Sequence, residues 1–358
     1  MNATIALLPG DGIGPEVIAA AAAVLETVAA RFNHSFTLAR WPVGAAALRA
    51  GDPPLPDPTR AACISADAVL LGAVGDPEFS EGPSARRPET ALLQLRRELG
   101  LFANLRPAKV WPGQENGGSL KPELIAGLDL LIVRELTGGI YYAEPRGQTD
   151  DGRAAFNTMR YERGEIERIA KVAFEAARKR RGLVTSVDKA NVLEASRFWR
   201  EVVTRVGAEY PDVRLEHQYV DSCALLLVTT PKKFDVVLSG NLFGDILSDE
   251  AGAIVGSLGL LPSASVGTGG GLFEPVHGSA PDIAGKDVAN PVAAIASAAL
   301  LLRHALGAAD EAAAIETAIA DALAGGFRTA DLAGPDNAGE VVSCSDMTRA
   351  VVERIAGP

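Results

Sequence analysis

Short apolar runs alternate with longer segments of helical periodicity along most of the chain. The run "TIALLP" (4–9) precedes "PEVIAAAAAVLETVAARF" (15–32), and "GLVTSVD" (182–188) precedes "VLEASRFWREVVTRV" (192–206). Apolar runs of this length suit buried strands, and the longer segments have the apolar spacing of helices. This alternation predicts an α/β protein.

The length and apolar spacing of other segments predict the remaining strands and helices. Further strands are predicted at "DAVLLG" (67–72), "LDLLIVRE" (128–135) and "FDVVLSG" (234–240), and an exposed strand at "GRAAFNTMRY" (152–161). Further helices are predicted at "ETALLQLRREL" (89–99), "EIERIAKVAFEAARKR" (165–180) and in the alanine-rich tail from about 291.

Composition narrows the class of protein. The chain has 358 residues with 47% hydrophobic and 22% charged residues, enough for one large or two ordinary soluble domains. The net charge of −11 argues against a nucleic-acid partner. No apolar stretch reaches about 18 residues, so no membrane helix is expected. The N-terminus lacks a signal-peptide pattern, so we expect a cytoplasmic protein.

The three cysteines, Cys63, Cys223 and Cys344, form no CxxC motif. Their odd number and wide spacing argue against a disulfide framework and a cysteine zinc site, and favour buried free thiols.

The stretch "GDGIGPE" (10–16) follows a strand and opens a helix. Its glycines do not have the G-x-G-x-x-G spacing of a dinucleotide fingerprint, and Pro15 suits the first helical turn. The pattern leaves open an ordinary tight turn, a different ligand-facing loop, and a Rossmann site.

The segment "NLFGDILSDEAG" (241–252) reads as a half-buried helix with Asp245 and Asp249 one turn apart on one face. These acids are either solvated surface groups or ligands. Asp221 begins another apolar helix, where it is either a helix cap or a third ligand. Three acids with no histidine or cysteine nearby would suit a hard cation such as Mg²⁺ or Mn²⁺.

Basic and aromatic residues also stand at the edges of apolar segments. Arg96, Arg106 and Arg134 are either ordinary ion-pair residues or a clamp for carboxylates, which guanidinium groups match in bidentate geometry. Lys189 and Tyr141 are either packed side chains or a base and an acid. The loop 274–291 is rich in small residues that would let backbone approach a cofactor, or is simply a structured surface loop.

Together these motifs resemble the isocitrate/isopropylmalate dehydrogenase family of β-decarboxylating dehydrogenases. The resemblance covers nearly the whole chain. It runs in order through "LLPGDGIGPE", "LFANLRP", "VRELTGGIYY", "SVDKANVL", "YVDSCA", "NLFGDILSDEAGAIVGSLGLLPSAS", "EPVHGSAPDIAGK" and "ANP".

The resemblance implies the family's own two-domain α/β fold, not a Rossmann fold, with the active-site cleft between the domains. Residues 1–101 and 256–358 would form the first domain, with the cofactor-binding loops. Residues 102–255 would form the second, with the metal-binding acids and the dimer interface. An arm at about 141–161 would pair with the partner subunit of a homodimer whose active sites are shared.

The resemblance also assigns roles to individual residues. Arg96, Arg106 and Arg134 would bind the substrate's carboxylates, and Asp221, Leu92 and Leu93 would also contact the substrate. Asp245 and Asp249 would bind Mg²⁺ or Mn²⁺ together with Asp221 of the other subunit. Lys189, also from the other subunit, would take the hydroxyl proton, and Tyr141 would help protonate the enol. The cofactor-binding positions would be Glu274, His277, Gly278, Ser279, Ala280, Asp282, Ile283 and Asn290.

The implied reaction is the NAD-dependent oxidative decarboxylation of (2R,3S)-3-isopropylmalate to 4-methyl-2-oxopentanoate, a step of leucine biosynthesis. Leu92 and Leu93 suit an isopropyl group, and burying that group against leucine would favour it by roughly 2 kcal/mol. Asp282 followed by Ile283 resembles the NAD-preferring pattern. Alternatives are the same chemistry on homoisocitrate, tartrate or D-malate, and a catalytically silent nucleotide-binding protein.

Overall fold

The computed structural model describes residues 1–80, 86–117, 120–333 and 340–357. The chain divides into two compact units, the first made of Met1–Leu101, Val110–Pro122 and Val255–Pro358, and the second of Phe102–Lys109 and Glu123–Ile254. The strands are β1 (Asn2–Gly10), β2 (Ser35–Arg40), β3 (Ala68–Ala73), β4 (Leu101–Lys109), β5 (Asp129–Glu135), β6 (Gly147–Gln148), β7 (Ala155–Phe156), β8 (Leu183–Asp188), β9 (Arg214–Tyr219), β10 (Val236–Ser239), β11 (Pro262–Gly267), β12 (Gly271–Pro275), β13 (Phe327–Arg328) and β14 (Glu340–Val341).

The α-helices follow the strands in alternation, and together these elements confirm the predicted α/β class. They are α1 (Gly14–Phe32), α2 (Ala45–Arg49), α3 (Asp57–Ser65), α4 (Thr90–Glu98), α5 (Pro122–Ile125), α6 (Arg163–Arg178), α7 (Glu194–Gly207), α8 (Val220–Thr229), α9 (Asn241–Val255), α10 (Val292–His304), α11 (Ala309–Ala324) and α12 (Cys344–Ala356). None of the helices formed by the described residues has the length and apolar character needed to cross a membrane.

The first unit contains strands in the order β2-β1-β3-β12-β11. Strand β1 is parallel to β2 and β3, whereas β12 is antiparallel to β11. Helix α10 packs on β11 and β12 and against α1 and α11. Its residues 292–302 are all buried, as expected for a helix that is apolar on every side. This mixed strand order is not that of a Rossmann fold, as the resemblance implies.

The second unit contains strands in the order β4-β5-β10-β8-β9. Strand β4 is antiparallel to β5, and the other neighbouring pairs are parallel. The carboxyl ends of β5, β8 and β10 therefore lie at one edge, where open α/β sheets commonly bind ligands. Arg134, Lys189 and the start of α9 all lie at or just beyond these strand ends.

Two sequence predictions change in detail. The exposed strand at 152–161 is wrong for most of its length: only Ala155–Phe156 pairs, with Gly147–Gln148. Alternating side chains indicate two faces, but a strand also needs a backbone partner. Asp221 does not cap α8, because Tyr219 holds that position. Val110 and Trp111, which follow β4, are buried in the first unit.

The stretch at 10–16 is a tight turn between β1 and α1 that also meets the 276–290 loop. Gly10 and Gly12 have positive φ angles of 71° and 56°. The backbone nitrogen of Ile13 donates to the carbonyl oxygen of Ser279 at 2.8 Å. A Cβ at Gly12 would lie 1.9 Å from that same oxygen, so only glycine permits this approach.

Candidate active site

Arg134, near the carboxyl end of β5, is buried and held on two sides. Its Nε and Nη2 donate to the side-chain oxygen of Asn241, at 3.1 and 2.8 Å. Its Nη1 donates to Asp245. Asn241 and Asp245 lie on the first turns of α9, because β10 is parallel to β5 and delivers the chain to the same edge. Parallel pairing thus brings together residues more than 100 positions apart.

Arg106 on β4 provides the cation between the two acids of α9. Its Nη1 lies 3.3 Å from Asp245 Oδ1 and 3.6 Å from Asp249 Oδ1. The guanidinium is fixed by two neutral partners, because Nε donates to Asn104 at 2.6 Å and Nη1 to Ser248 at 2.6 Å. The like charges one turn apart are therefore compensated within the chain itself.

Tyr141 completes this group of residues. Its hydroxyl donates to Asp245 Oδ2 at 3.0 Å, and Arg134 lies over its ring, 5.8 Å from the ring centre. Partial burial and the Asp245 carboxylate raise the pKa of Tyr141, so the phenol keeps its proton at neutral pH. A protonated phenol can donate a hydrogen bond or a proton to a bound molecule.

Asp249 is the more open of the two acids. Its side chain is 66% exposed, against 32% for Asp245. Partial burial raises its pKa, and the neighbouring Asp245 adds to this, whereas Arg106 opposes it. Two carboxylates on one helix face offer hard oxygen donors of the kind that Mg²⁺ or Mn²⁺ prefers. The donor set therefore fits a divalent cation at α9.

Lys189 and Asp221 form a separate pair in the second unit. The ammonium of Lys189 lies 2.5 Å from Asp221 Oδ1, and this bond lowers the pKa of Asp221. Within the described residues of this chain, no hydrogen bond or ion pair joins either residue to Asp245 or Asp249. The predicted set of three acids is thus only partly assembled within one chain: Asp245 and Asp249 come together, and Asp221 does not join them.

Arg96 on α4 pairs with Glu274 on β12 in the first unit. Their charged atoms lie 2.9 Å apart, and both side chains are 11% exposed. The Nε of Arg96 is enclosed and makes no hydrogen bond to any residue that the structure describes. Nearby on α4, Leu92 packs against the apolar core, whereas Leu93 is 45% exposed. The helix thus presents an apolar and a cationic group one turn apart.

Apart from Glu274 on β12, the predicted cofactor positions lie in a loop of the first unit between β12 and α10. Gly278 has open space where a Cβ would be, and Ala280 has a positive φ of 39°. Asp282 is exposed and Ile283 is half-buried. At the end of the loop, buried Asn290 donates to Asp331 at 3.0 Å and accepts from the backbone of Val292 at 3.0 Å.

His277 has an unsatisfied ring atom in this loop. Its Nδ1 lies 2.9 Å from the carbonyl oxygen of Gly278, which requires that nitrogen to donate. Its Nε2 is enclosed and has no hydrogen-bond partner among the described residues. Burial lowers the pKa of His277 and keeps the ring neutral. An unpartnered acceptor beside open backbone fits a loop that a bound cofactor completes.

Several residues that position the groups of the candidate active site were not predicted from the sequence. Asn104, Ser248 and Asn241 hold the two guanidinium groups, and Asp11 accepts from the backbone of Ala45 and Gly75 near the turn at 10–16. Asn104 lies within β4 and Ser248 within α9, whereas Asn241 begins α9 and Asp11 follows β1. They share no position or motif that could have indicated a role from the sequence.

Comparison with known proteins places the chain among dehydrogenases. Residues 4–351 match the isocitrate/isopropylmalate dehydrogenase family. A 3-isopropylmalate dehydrogenase of Salinibacter ruber is 57% identical, over 98% of this chain and 95% of its own. The one of Oleidesulfovibrio alaskensis is 55% identical, over 99% and 100%.

Solved structures show the same fold. The crystal structure of isocitrate dehydrogenase from Methylococcus capsulatus superposes with a TM-score of 0.87 at 36% identity, covering 99% of this chain and 100% of that one. A β-decarboxylating dehydrogenase from Thermococcus kodakarensis gives a TM-score of 0.81 at 36% identity, covering 99% and 96%.

Proposed function

The chain belongs to the isocitrate/isopropylmalate dehydrogenase family, and we propose that it oxidises and decarboxylates (2R,3S)-3-isopropylmalate to 4-methyl-2-oxopentanoate with NAD⁺. It is an enzyme, and the family implies a dehydrogenase that uses a divalent metal. The proposed product belongs to leucine biosynthesis.

One structural observation supports the chemistry more than any other. Arg106 and Arg134 lie on neighbouring strands with Asp245, Asp249 and Tyr141, so cations for carboxylates, oxygen ligands for a metal and a neutral acid occur at one strand edge. A substrate with two carboxylates and a hydroxyl group needs all three kinds of partner. The relatives named 3-isopropylmalate dehydrogenase, at 55 and 57% identity, favour this substrate over isocitrate.

In this proposal, separate residues bind the substrate and transfer protons. Arg96, Arg106 and Arg134 bind the substrate's carboxylates, and Leu92 and Leu93 contact its isopropyl group. Lys189, oriented by Asp221, acts as the base in its neutral amine form: it takes the proton from the substrate hydroxyl as the hydride leaves the carbon that carries this hydroxyl. After carbon dioxide departs, Tyr141 donates its proton to the enol carbon, directly or through water.

Asp245 and Asp249 would hold the divalent cation, and Asp221 of the partner subunit would be a third ligand. Glu274, His277, Gly278, Ser279, Ala280, Asp282, Ile283 and Asn290 would bind NAD⁺. When bound, the cation polarises substrate oxygens and NAD⁺ accepts the hydride. The carboxylate of Asp282 would accept hydrogen bonds from ribose hydroxyls and repel a 2′-phosphate, which favours NAD over NADP.

A homodimer forms part of the proposal. Helices α8 and α9 expose Leu225 at 63%, Val228 at 40% and Ile246 at 57%, an apolar surface that a second copy would cover. Such a dimer would supply Lys189 and Asp221 to the neighbouring active site. Light scattering should give twice the chain mass, and Leu225→Asp should yield a monomer with little activity, whereas the substitution Leu258→Asp outside these helices serves as the comparison.

The test of the reaction compares two substrates. Purified protein with Mg²⁺ or Mn²⁺ should form NADH from 3-isopropylmalate at a rate far above that with isocitrate, and a chelator should abolish the signal. Preference for isocitrate, homoisocitrate, tartrate or D-malate would leave the family assignment intact and overturn the substrate. Tight NAD⁺ binding with no turnover of any of these acids would overturn the enzymatic proposal.

A further inference from the structure

Asn241 lies where three parts of the second unit meet. It is the first residue of α9, it follows the end of β10 by two positions, and it is 1% exposed. Its side chain contacts Arg134 and Gly138, and its backbone nitrogen contacts Tyr161. The proposed reaction assigns no role to Asn241 or Tyr161.

The amide oxygen of Asn241 sets the orientation of Arg134. It accepts from Nε and Nη2, which together form one edge of the planar guanidinium, at 3.1 and 2.8 Å. Because the group is rigid, fixing this edge also fixes Nη1, which donates to Asp245. Because this acceptor is neutral, it holds the edge without adding a second carboxylate to the one that Asp245 already places beside Arg134.

The amide nitrogen of Asn241 fixes the other side of the site. It donates to the carbonyl oxygen of Gly138 at 3.3 Å, in the turn that leads to Tyr141. An amide is one of the few side-chain groups that offer an acceptor and a donor at neutral pH without a net charge. Aspartate has the same shape, but it would place a carboxylate against the Gly138 carbonyl.

Tyr161 in turn fixes Asn241. Its hydroxyl accepts from the Asn241 backbone N–H at 2.7 Å, and its ring packs edge-on against Trp199 at 5.2 Å. A Cβ at Gly139 would lie 2.3 Å from this hydroxyl, and one at Gly240 would lie 2.7 Å from it. The hydroxyl is thus enclosed between two stretches of backbone. Burial raises the pKa of Tyr161, so the group stays neutral.

The approach of α9 to Arg134 is equally close. A Cβ at Gly244 would lie 2.9 Å from both Cβ and Cγ of Arg134, the inflexible base of that side chain. The first turn of α9 therefore rests directly on Arg134, and a small change at its start moves the acids relative to the guanidinium.

We propose that Asn241, fixed in place by Tyr161, is a positioning residue that orients Arg134 and the Tyr141 turn for a substrate carboxylate. The inference rests on the proposed function for the identity of the substrate. It concerns residues that themselves touch neither the substrate nor a cofactor.

The kinetic test uses Asn241→Ala, Asn241→Asp and Tyr161→Phe in the full-length enzyme. Each should raise the KM for 3-isopropylmalate, on the order of 10- to 100-fold for the Asn241 variants, as removal of a supporting hydrogen bond does at metal sites. The KM for NAD⁺ should change less than about twofold. Asn241→Asp should raise this KM for 3-isopropylmalate more than Asn241→Ala does. Aspartate has the shape of asparagine, but its carboxylate also neutralises Arg134.

Tyr210→Phe is the matched control. Tyr210 is also a buried tyrosine of the second unit, stacked on Phe174 at 4.9 Å, and it lies outside the site residues described above. The Tyr210→Phe substitution should leave the KM for 3-isopropylmalate and the KM for NAD⁺ unchanged. If the Asn241 variants lower only the stability and leave both KM values at the wild-type level, the positioning role is wrong.

Crystal structures separate this inference from the proposed function. In Asn241→Ala the bond from Arg134 Nη1 to Asp245 should be lost or rearranged, whatever substrate the enzyme prefers. A wild-type enzyme inactive on 3-isopropylmalate would overturn the proposed function alone. An Arg134 that keeps its place in Asn241→Ala would overturn the positioning role alone.

Discussion

The two candidate binding regions differ in how far the chain completes them. At the strand edge of the second unit, Arg106 and Arg134 are held by Asn104, Ser248 and Asn241 and face Asp245. In the 276–290 loop of the first unit, by contrast, Asp282 is exposed, and His277 has an enclosed Nε2 without a partner in the described part of the chain.

This difference indicates that the two regions bind their ligands in different ways. The guanidinium groups of the charged region are already oriented in the free protein, so binding a dicarboxylate requires little further ordering of side chains. The loop leaves polar groups for the cofactor to satisfy, so part of its order should depend on NAD⁺.

The largest effect is expected from Asp245→Asn. Asp245 contacts Arg106, Arg134 and Tyr141, and it would also be a metal ligand. We expect kcat/KM to fall by more than about 100-fold, since loss of supporting partners alone typically costs 10- to 100-fold. Glu250→Gln on the same helix is the control. A loss of less than tenfold in kcat/KM for Asp245→Asn would show that this acid is not essential to the proposed active site.

The next effect concerns the contact between the 10–16 turn and the loop. In Gly12→Ala, the positive φ alone costs about 1–3 kcal/mol, and the new Cβ also collides with the Ser279 carbonyl. Urea unfolding should show lower stability, and the KM for NAD⁺ should rise. Gly51→Ala separates the two causes, because Gly51 has a φ of 89° but nothing within 4 Å. Equal losses of stability in Gly12→Ala and Gly51→Ala would mean that the collision of the new Cβ with the Ser279 carbonyl is relieved.

A smaller effect is expected from Asp282→Lys. Replacing a carboxylate by an ammonium should shift the preference from NAD⁺ toward NADP⁺ by at least about tenfold, or 1.4 kcal/mol. The ratio of kcat/KM values for the two cofactors measures it. Asp310→Lys, which makes the same charge change at the exposed start of α11, should leave the ratio unchanged. An unchanged ratio in Asp282→Lys would remove this residue from the cofactor site.

The smallest effect is the dependence of stability on pH. Burial lowers the pKa of both His277 and His217 from the ordinary 6.5. Below pH 6.5 the unfolded state binds protons that the folded state resists, so stability should fall as the pH decreases, by at most about 1.4 kcal/mol per pH unit and histidine. His277→Gln should flatten this slope, and saturating NAD⁺ should steepen it if Nε2 accepts from the cofactor. An unchanged slope in His277→Gln would show that this histidine titrates normally.

The sequence predicts the fold well because its signals are local. The helix containing Asp245 and Asp249, and the strands ending near Arg134 and Lys189, follow from apolar periodicity and are confirmed. The exposed strand at 152–161 failed because pairing depends on a partner that local alternation does not reveal.

The organisation of the site depends on contacts between residues distant in sequence, which periodicity cannot reveal. Arg106 lies between the two acids, although it is more than 130 positions from both. Asn241 and Tyr161 are 80 positions apart, and neither has a charge or a motif that draws attention. The pairing of Lys189 with Asp221 also appears only in three dimensions.

Hydrogen exchange with and without NAD⁺ tests the contrast between the two regions most directly. NAD⁺ alone should protect backbone amides in 276–290, while those in 132–138 and 241–249 should be protected already and change little. Loop amides that exchange slowly before NAD⁺ is added, or strong new protection at the start of α9 with NAD⁺ alone, would mean that the two regions do not differ in this way.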